Sequence, residues 1–288
     1  MPAEATRLAV DLSGASIRVL EGAMGGAMQT AAGSLPEGAW SHGKVVDAAA
    51  VGKSLRELLA RNAITSTRAF VAVSDELATF RTLSLDVELT DEQVTAAVSK
   101  ELALDPERIA TRWADVPRQD GSRLVYAAAW DRAALKDITE AVKLAGLNAA
   151  VVELKSAAVA RTVPESSCVV LDLVADPSEI VLIDDNVPRL WHGFKLAGVG
   201  PQDLAKLLGA PLLSVIRFHQ RSRNVHFGPA APVLVSTEQM VPPDLVAELA
   251  GLVGQPVRML PAPARVPAHV RHATYLTCLG LIMRRTAA

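Results

Sequence analysis

The sequence predicts an α/β protein made of two similar halves. Apolar runs of strand length alternate with segments of helical period. In addition, a pattern of strand, aspartate, short polar turn and strand occurs twice. The matched ranges are Leu8–Asp11 with Val169–Asp172, and Ile17–Leu20 with Ile180–Ile183. We therefore expect a duplicated chain whose halves face each other across a cleft, with one aspartate on each wall.

The elements of the first half follow in order. The first hairpin spans residues 8–22, and the glycine-rich residues 21–44 predict a loose strand pair or loop. Helical spacing predicts helices at 45–64, 89–104, 131–147 and 155–163, and strand patterns cover 68–74, 77–87, 112–130 as a strand pair, and 148–154. Asp47 and Thr90 are suited to cap the first two helices, and Gln93 completes a capping box with Thr90.

The second half repeats this alternation over a shorter length. Its hairpin lies within residues 168–196. Helices are then predicted at 201–223, 242–254 and 272–285, with strands at 231–237 and 256–260. Apolar residues cover most of the circumference of the last helix, which predicts that this helix is buried.

Composition and charge exclude several function classes. With 31 acidic and 29 basic residues, the chain has no large net positive charge of the kind that favours binding to nucleic acid. The basic cluster of Arg217, Arg221 and Arg223 is interpreted as a solvated helix end. Cys168 and Cys278 stand alone in apolar runs, which predicts buried thiols and no metal site.

The chain shows no targeting or membrane signal. The first ten residues contain an acid and no apolar core of a signal peptide. No apolar run approaches the roughly 20 residues that a membrane helix needs. We expect a cytoplasmic protein.

Taken in order, these segments resemble the PilM-like family of type IV pilus assembly proteins, within the superfamily of actin, FtsA, sugar kinases and Hsp70. The resemblance rests on "LAVDLSGASIRVLEG", "CVVLDLVADPSEIVLIDDNVPRLWHGFKLAG" and the closing "TYLTCLGLIMRR". It implies actin-like (ribonuclease H-like) duplicated domains, an inserted small α+β subdomain and a much reduced small subdomain in the second half. The implied boundaries are 1–80 and 151–167 for the first actin-like subdomain, 81–150 for the insertion, and 168–288 for the second subdomain.

The resemblance also implies a nucleotide site. In this superfamily two hairpins hold the phosphates through backbone amides and small hydroxyls, and aspartates orient hydrated Mg²⁺ or the attacking water. The residues at the matching positions are Asp11, Ser13, Gly14 and Ser16 in the first hairpin and Asp172 in the second.

Several residues depart from the family's nucleotide motifs. Ser13 and Val174 stand where the family has glycine, and the second turn carries Asp176, Pro177 and Glu179 in place of small donors. The family's glycine cluster is replaced by Thr237, Glu238 and Gln239. Since proline lacks an N–H and carboxylates repel phosphate, we expect no enzyme activity, no metal site and no resident cofactor, with residual ATP or ADP binding with Mg²⁺ left open. The alternative is an active Mg-ATP-binding ATPase that uses Asp11 and Asp172 about the metal.

The resemblance finally implies a partner. Members of this family receive the short N-terminal tail of a PilN-like inner-membrane protein, beside the inserted subdomain. We expect this chain to be a non-hydrolysing adaptor of a type IV pilus or type II secretion platform, peripheral to the inner membrane. Its tail-binding groove is expected between the first large subdomain and residues 81–150, and homo-oligomerisation is left open.

Overall fold

Two five-stranded sheets carry the two halves of the chain. The structure is a computed structural model, and it describes residues 5–102, 105, 107–116, 121–174, 177–196, 203–221 and 227–284. The strands are β1 (Arg7–Leu12), β2 (Ser16–Gly22), β3 (Met28–Ser34), β4 (Trp40–Ser41), β5 (Lys44–Val45), β6 (Arg68–Val73), β7 (Ala78–Leu85), β8 (Ile109–Val116), β9 (Arg123–Asp131), β10 (Asn148–Leu154), β11 (Cys168–Asp172), β12 (Ser178–Asp184), β13 (Val187–Phe194), β14 (Val233–Ser236) and β15 (Val257–Met259). The helices are α1 (Ala48–Arg61), α2 (Asp91–Glu101), α3 (Arg132–Leu144), α4 (Lys155–Ala160), α5 (Leu204–Gln220), α6 (Leu245–Val253) and α7 (Leu276–Ile282).

The two sheets are equivalent strand by strand. The first has the order β10-β6-β1-β2-β3 and the second β15-β14-β11-β12-β13 when read in the same direction. In both, the hairpin strands pair antiparallel, and the first hairpin strand also pairs parallel with a later strand. The duplication predicted from the two aspartate hairpins is confirmed.

The helices repeat in the same way and form layers with the sheets. Helices α1 and α3 cover the outer face of the first sheet, while α5 and α6 cover the outer face of the second. The equivalent short helices α4 and α7 lie between the sheets, where apolar side chains from both halves pack around them. All seven residues of α7 are buried, as its circumference of apolar residues predicted.

A small subdomain interrupts the first half. Strands β7, β9 and β8 form a three-stranded antiparallel sheet in that order. Helix α2 packs on one face through Val94 and Val98. It begins at the predicted capping box, in which the Thr90 side chain accepts from Gln93 N and the Gln93 side chain accepts from Thr90 N. In the second half, the described residues between β13 and β14 form only α5.

The structure extends two of the predicted elements and shortens a third. The glycine-rich residues 21–44 form β3 and the short pair β4–β5. The second aspartate hairpin continues into a third strand, β13, through a tight turn at Asp185 and Asn186, whose φ angles are 57° and 62°. The final helix begins at Leu276 instead of His272, because residues 272–275 form a turn.

A close contact between α4 and α7 joins the halves. A Cβ atom added to Gly280 would lie 2.0 Å from the backbone oxygen of Ala158. The two helices therefore approach at a distance that only glycine allows at this position.

Because of this contact, we expect Gly280→Ala to lower the free energy of unfolding by about 3 kcal/mol, through overpacking against backbone atoms that cannot yield. The matched control is Gly251→Ala in α6, where an added Cβ meets nothing within 4 Å. The control is expected to be neutral or to stabilise by up to about 1 kcal/mol, as alanine favours helix. Urea unfolding followed by circular dichroism measures both, and equal values would show that the α4–α7 contact does not constrain the fold.

Candidate functional site

The first hairpin uses its aspartate to close its own turn. One oxygen of Asp11, Oδ1, accepts hydrogen bonds from Ser13 N at 3.0 Å and Ser13 Oγ at 2.6 Å. The other, Oδ2, lies 3.7 Å from Arg18 Nη1 on the second strand of the hairpin. Both Asp11 and Ser13 are buried, while Gly14 and Ser16 are partly exposed at the turn. Asp11 is thus held by its own hairpin, as an Asx turn requires.

The second hairpin repeats this arrangement. Asp172 Oδ1 accepts a hydrogen bond from Val174 N at 3.0 Å. Arg18 from the first hairpin donates to the Val174 backbone oxygen at 3.4 Å, so the two turns face each other across the cleft. The cleft with one aspartate on each wall is therefore present. Of the departures expected in this turn, Asp176 lies outside the described residues.

Lys155 occupies the space between the two hairpins. It is the first residue of α4, and it is 2% exposed. Its Nζ lies 3.0 Å from Asp172 Oδ2 and 2.7 Å from Glu179 Oε2. Burial by itself lowers the pKa of Lys155, but Asp172, Glu179 and Asp11 together raise that pKa above its ordinary value. The ammonium group of Lys155, from the first half, thus lies between two acidic side chains of the second.

A further buried carboxylate lies behind this lysine. Asp75 follows β6, and its two oxygens accept from the backbone N of Ser156 at 2.9 Å and from the Ser156 hydroxyl. Burial raises the pKa of Asp75 to about 6, although the Ser156 hydrogen bonds oppose the rise. Burial likewise raises the pKa of Glu179 to about 7, with Asp172 adding to the rise and Lys155 opposing it.

These residues do not fit the phosphate tail of a nucleotide. The space lined by Ser13 to Ser16, Arg18, Lys155 and Glu179 has a volume of about 10 Å³, which is room for roughly one water. A ligand of nucleotide size needs a pocket of about 300 Å³ or more. Phosphates entering here would have to displace the Lys155 ammonium and then face Glu179, a buried carboxylate that repels them.

The side chains of the loop that follows β14, residues 237–239, also form hydrogen bonds within the protein. Glu238 accepts from Thr274 N at 2.9 Å and from Arg271 Nε at 2.9 Å. Gln239 N donates to Thr237 Oγ1 at 3.1 Å. Where the superfamily places small residues against the adenosine, this chain has an acid that ties the loop to the segment leading into α7.

Lys155 and Asp75 were missed in the sequence, although one signal could have identified the lysine. A cation at the first position of a helix is disfavoured by the helix dipole, and the predicted helix at 155–163 begins with one. Such a residue needs compensating acids nearby. Asp75 carried no comparable signal, since the turn after a buried strand commonly holds an aspartate.

A large groove lies on the other side of α4. This groove has a volume of about 790 Å³. Its walls come from β8 and β9 of the small subdomain, from α3, β10 and α4 of the first half, and from the β12–β13 turn of the second. Its apolar lining includes Trp113, Trp130, Leu135, Val151 and Val187. It lies where a groove between the first subdomain and residues 81–150 was expected, with an added wall from residues 185–188.

Two strand edges face this groove. Residues 112–116 of β8 and 150–154 of β10 all line it consecutively. Because alternate side chains of a strand point to opposite faces, an unbroken run of lining residues means that the edge of each strand faces the opening. Both β8 and β10 are terminal strands of their sheets. The groove thus presents backbone donors and acceptors along two sides.

One end of the groove carries a charged group of three side chains. Glu153 is buried and forms ion pairs with Arg161 and Arg284. Arg161 Nε also donates to the backbone oxygen of Gly280 at 2.8 Å. Two guanidinium groups against one carboxylate leave an excess of positive charge at this end.

The remaining sequence candidates form no site in the part of the chain that the structure describes. His219, within the basic segment, is buried with its Nε2 3.4 Å from Asp184 Oδ2, and Arg223 lies outside the described residues. Among the described residues no group of three or more histidines, cysteines and acids is placed to hold a metal ion. Over the same residues, no helix has the length and apolar character to cross a membrane. Cys168 and Cys278 are both buried free thiols.

Solved structures share this fold along nearly the whole chain. A PilM–PilN type IV pilus biogenesis complex aligns with a TM-score of 0.76 at 16% identity, covering 97% of this chain and 98% of that one. The cytoplasmic domain of EpsL, an inner-membrane component of the type II secretion system of Vibrio cholerae, aligns with a TM-score of 0.55 at 13% identity, covering 98% and 97%. A Bacteroides thetaiotaomicron protein with an actin-like ATPase fold aligns with a TM-score of 0.52 at 12% identity, covering 96% and 97%. No family model and no curated protein matches the sequence. At these identities the likeness shows the fold alone, and it confirms the expected actin-like fold of the PilM type.

The raised pKa of Glu179 predicts a pH dependence of stability. Between the ordinary value of 4.5 and about 7, the native state holds a proton on Glu179 that the unfolded chain has lost. The contribution of this group to stability is therefore present below pH 4.5 and is lost as the pH rises through about 7.

We expect Glu179→Gln to flatten this part of the profile, by at most about 1.4 kcal/mol per pH unit for one proton. The measurement is the free energy of unfolding in urea from pH 4.5 to 8 for both proteins, with Glu57→Gln on exposed α1 as control. Parallel wild-type and Glu179→Gln profiles would contradict the prediction.

Proposed function

We propose that this protein is an actin-like adaptor that binds the cytoplasmic tail of a PilN-like inner-membrane protein and does not hydrolyse nucleotide. It would act at the cytoplasmic face of the membrane, in a type IV pilus or type II secretion platform. The observation that carries the proposal is the groove of about 790 Å³ beside the inserted subdomain. The likeness in fold to PilM solved with PilN supports the choice of partner.

The form of the groove favours an extended peptide. Its volume lies in the range of ligand pockets, and its two exposed strand edges can pair with an added strand. In such an arrangement backbone hydrogen bonds supply affinity, and alternate side chains of the peptide enter apolar pockets. Trp113 and Trp130 provide large apolar surfaces for this purpose.

The charges narrow the chemistry of the peptide. The excess of positive charge around Glu153, Arg161 and Arg284 favours an acidic side chain or backbone carbonyls at that end. The rest of the lining is largely apolar. We therefore expect a tail that is mainly aliphatic, with an acid or acceptor placed at one end.

The absence of hydrolysis is supported by the cleft between the hairpins. Lys155 fills it, Glu179 opposes phosphate, and Pro177 offers no amide hydrogen. The alternative, an active Mg-ATP-binding ATPase using Asp11 and Asp172, requires these groups to rearrange. Asp11 and Asp172 each already accept hydrogen bonds within their own turns.

Substitution in the groove tests the proposed binding. Thr139 lies on the exposed side of α3 and lines the groove, so Thr139→Arg should fill the opening without disturbing the core. We expect it to weaken binding of a fluorescein-labelled peptide copying a PilN-like N-terminal tail from the same genome by about tenfold or more, measured by fluorescence anisotropy.

The matched control for this test is Ala133→Arg, which adds the same side chain to an exposed position on α3 outside the groove lining. It should leave the affinity unchanged. Wild-type protein that binds none of the PilN-like tails of that genome, or equal affinities for the two variants, would refute the groove as the tail site.

A thermal-shift titration distinguishes the adaptor from the ATPase. A site holding Mg-ATP at a hundred times its Kd would stabilise the protein by about 2.7 kcal/mol, which raises the melting temperature by several degrees. We expect no rise for the wild-type protein with Mg-ATP or Mg-ADP. A Mg²⁺-dependent rise that disappears in Asp11→Ala would establish the alternative.

A further inference from the structure

We infer that Lys155 is a positioning residue that occupies the cleft in the place of a nucleotide. Its ion pairs with Asp172 and Glu179 hold the two halves of the chain at a fixed distance, and this distance sets the shape of the groove beside the small subdomain. The second part, the effect of the bridge on the groove, rests on the proposed function, because it concerns the affinity of the groove for a PilN-like tail. The first part, the bridge between the halves, stands on geometry alone.

The bridge connects one half directly to the other. Lys155 belongs to the first half, at the end of β10. Both of its acidic partners belong to the second hairpin, at 3.0 Å and 2.7 Å from the ammonium nitrogen. The neighbouring contact from Arg18 to Val174 also crosses the cleft, but at 3.4 Å it is a long hydrogen bond to a backbone oxygen. Lys155 is thus the main charged link at this edge of the interface.

The groove depends on how the halves are closed. Residues 185–188 of the second half form one wall, opposite walls from the first half and the small subdomain. Arg189 extends that wall across the cleft by donating to the Thr82 hydroxyl in β7. A rotation of one half against the other would move this wall relative to β8 and β10, and change the width of the groove.

Helix α4 lies between the two sites. Its first residue is in the cleft, Ser156 binds Asp75, and Ala157 and Arg161 line the groove. Ala158 is in contact with Gly280 of α7, the helix that occupies the same place in the second half. A short helix fixed by ion pairs at one end and by close packing at its middle transmits a change in the cleft to the groove wall.

The acids alone would not hold this arrangement. Asp172 and Glu179 lie in a buried space, with Asp11 nearby. Without the ammonium group of Lys155, the negative charges of these acids would repel one another, since burial strengthens the repulsion. Lys155 supplies this positive charge as part of the chain, so closure of the two halves requires no bound ligand.

The test measures closure and peptide affinity in the same variants. Spin labels at Glu57→Cys on α1 and Phe218→Cys on α5 report the distance between the halves, since both positions are exposed, at 54% and 65%. The native thiols are fully buried, and burial raises the pKa of Cys168 to about 12, so they do not compete for the label. The variants are Lys155→Met, the conservative Lys155→Arg, and the triple variant Lys155→Met/Asp172→Asn/Glu179→Gln. The last removes the two acids together with their ammonium partner and keeps the test valid if the single variant does not fold.

We expect Lys155→Met and the triple variant to broaden or lengthen the electron-electron distance distribution and to weaken binding of the same PilN-like tail peptide by about tenfold or more, because fewer molecules are closed. Lys155→Arg should restore both readouts to near wild type. Lys53→Met, at an exposed position on α1, is the control and should change neither.

Unchanged distances in the variants would overturn the inference whether or not any tail binds. Changed distances with unchanged affinity would overturn its second part and leave the groove as the tail site. If wild-type protein binds no tail, the proposed function fails, and the distances alone still decide the role of Lys155.

Discussion

One buried lysine determines how the two halves of this chain meet. An actin-like architecture places two aspartate hairpins opposite each other, and each hairpin brings a buried carboxylate to the cleft. Such a cleft requires positive charge, because unpaired carboxylates in a space closed to water cost several kcal/mol each. Lys155 meets this requirement with two ion pairs. The orientation of α4, the closure of the halves and the shape of the groove all follow from where that lysine is held.

An insertion into one of the two similar halves explains where the groove lies. Both halves have the same sheet order and the same short central helix, and α4 packs against α7 across the pseudo-symmetry axis. Within the part of the chain that the structure describes, only the first half carries an inserted three-stranded sheet, between β6 and α3. The insertion adds a wall beside the edge strand β10. The equivalent edge in the second half, at β15, has no such neighbour among the described residues.

Much of this fold could be predicted from the sequence, since its signals are local. The aspartate hairpins, the capping box at Thr90 and Gln93 and the buried closing helix depend on residues a few positions apart, and each is present. The site was harder to predict because it depends on residues that are distant in sequence. Asp11, Ser13, Gly14, Ser16 and Asp172 lie at the turns where they were expected. However, Asp11 lies beside Arg18, and Asp172 pairs with Lys155, which also pairs with Glu179. The volume left beside them is set by α4, whose position no short motif encodes.

A buried ion bridge is a costly way to stabilise a protein, and this suggests that its value here is geometric. Apolar residues of similar size in the place of such a cluster often give equal or greater stability. Ion pairs differ from apolar contacts in being directional: Nζ must stay near 3 Å from both Asp172 and Glu179 to offset their desolvation. Two halves with an apolar cleft could close over a range of angles between them at little cost in free energy. In this chain, the ion pairs of Lys155 with Asp172 and Glu179 are lost as soon as the halves separate. Residues 185–188 of the second half form one wall of the groove, so a fixed distance between the halves also fixes the width of the groove.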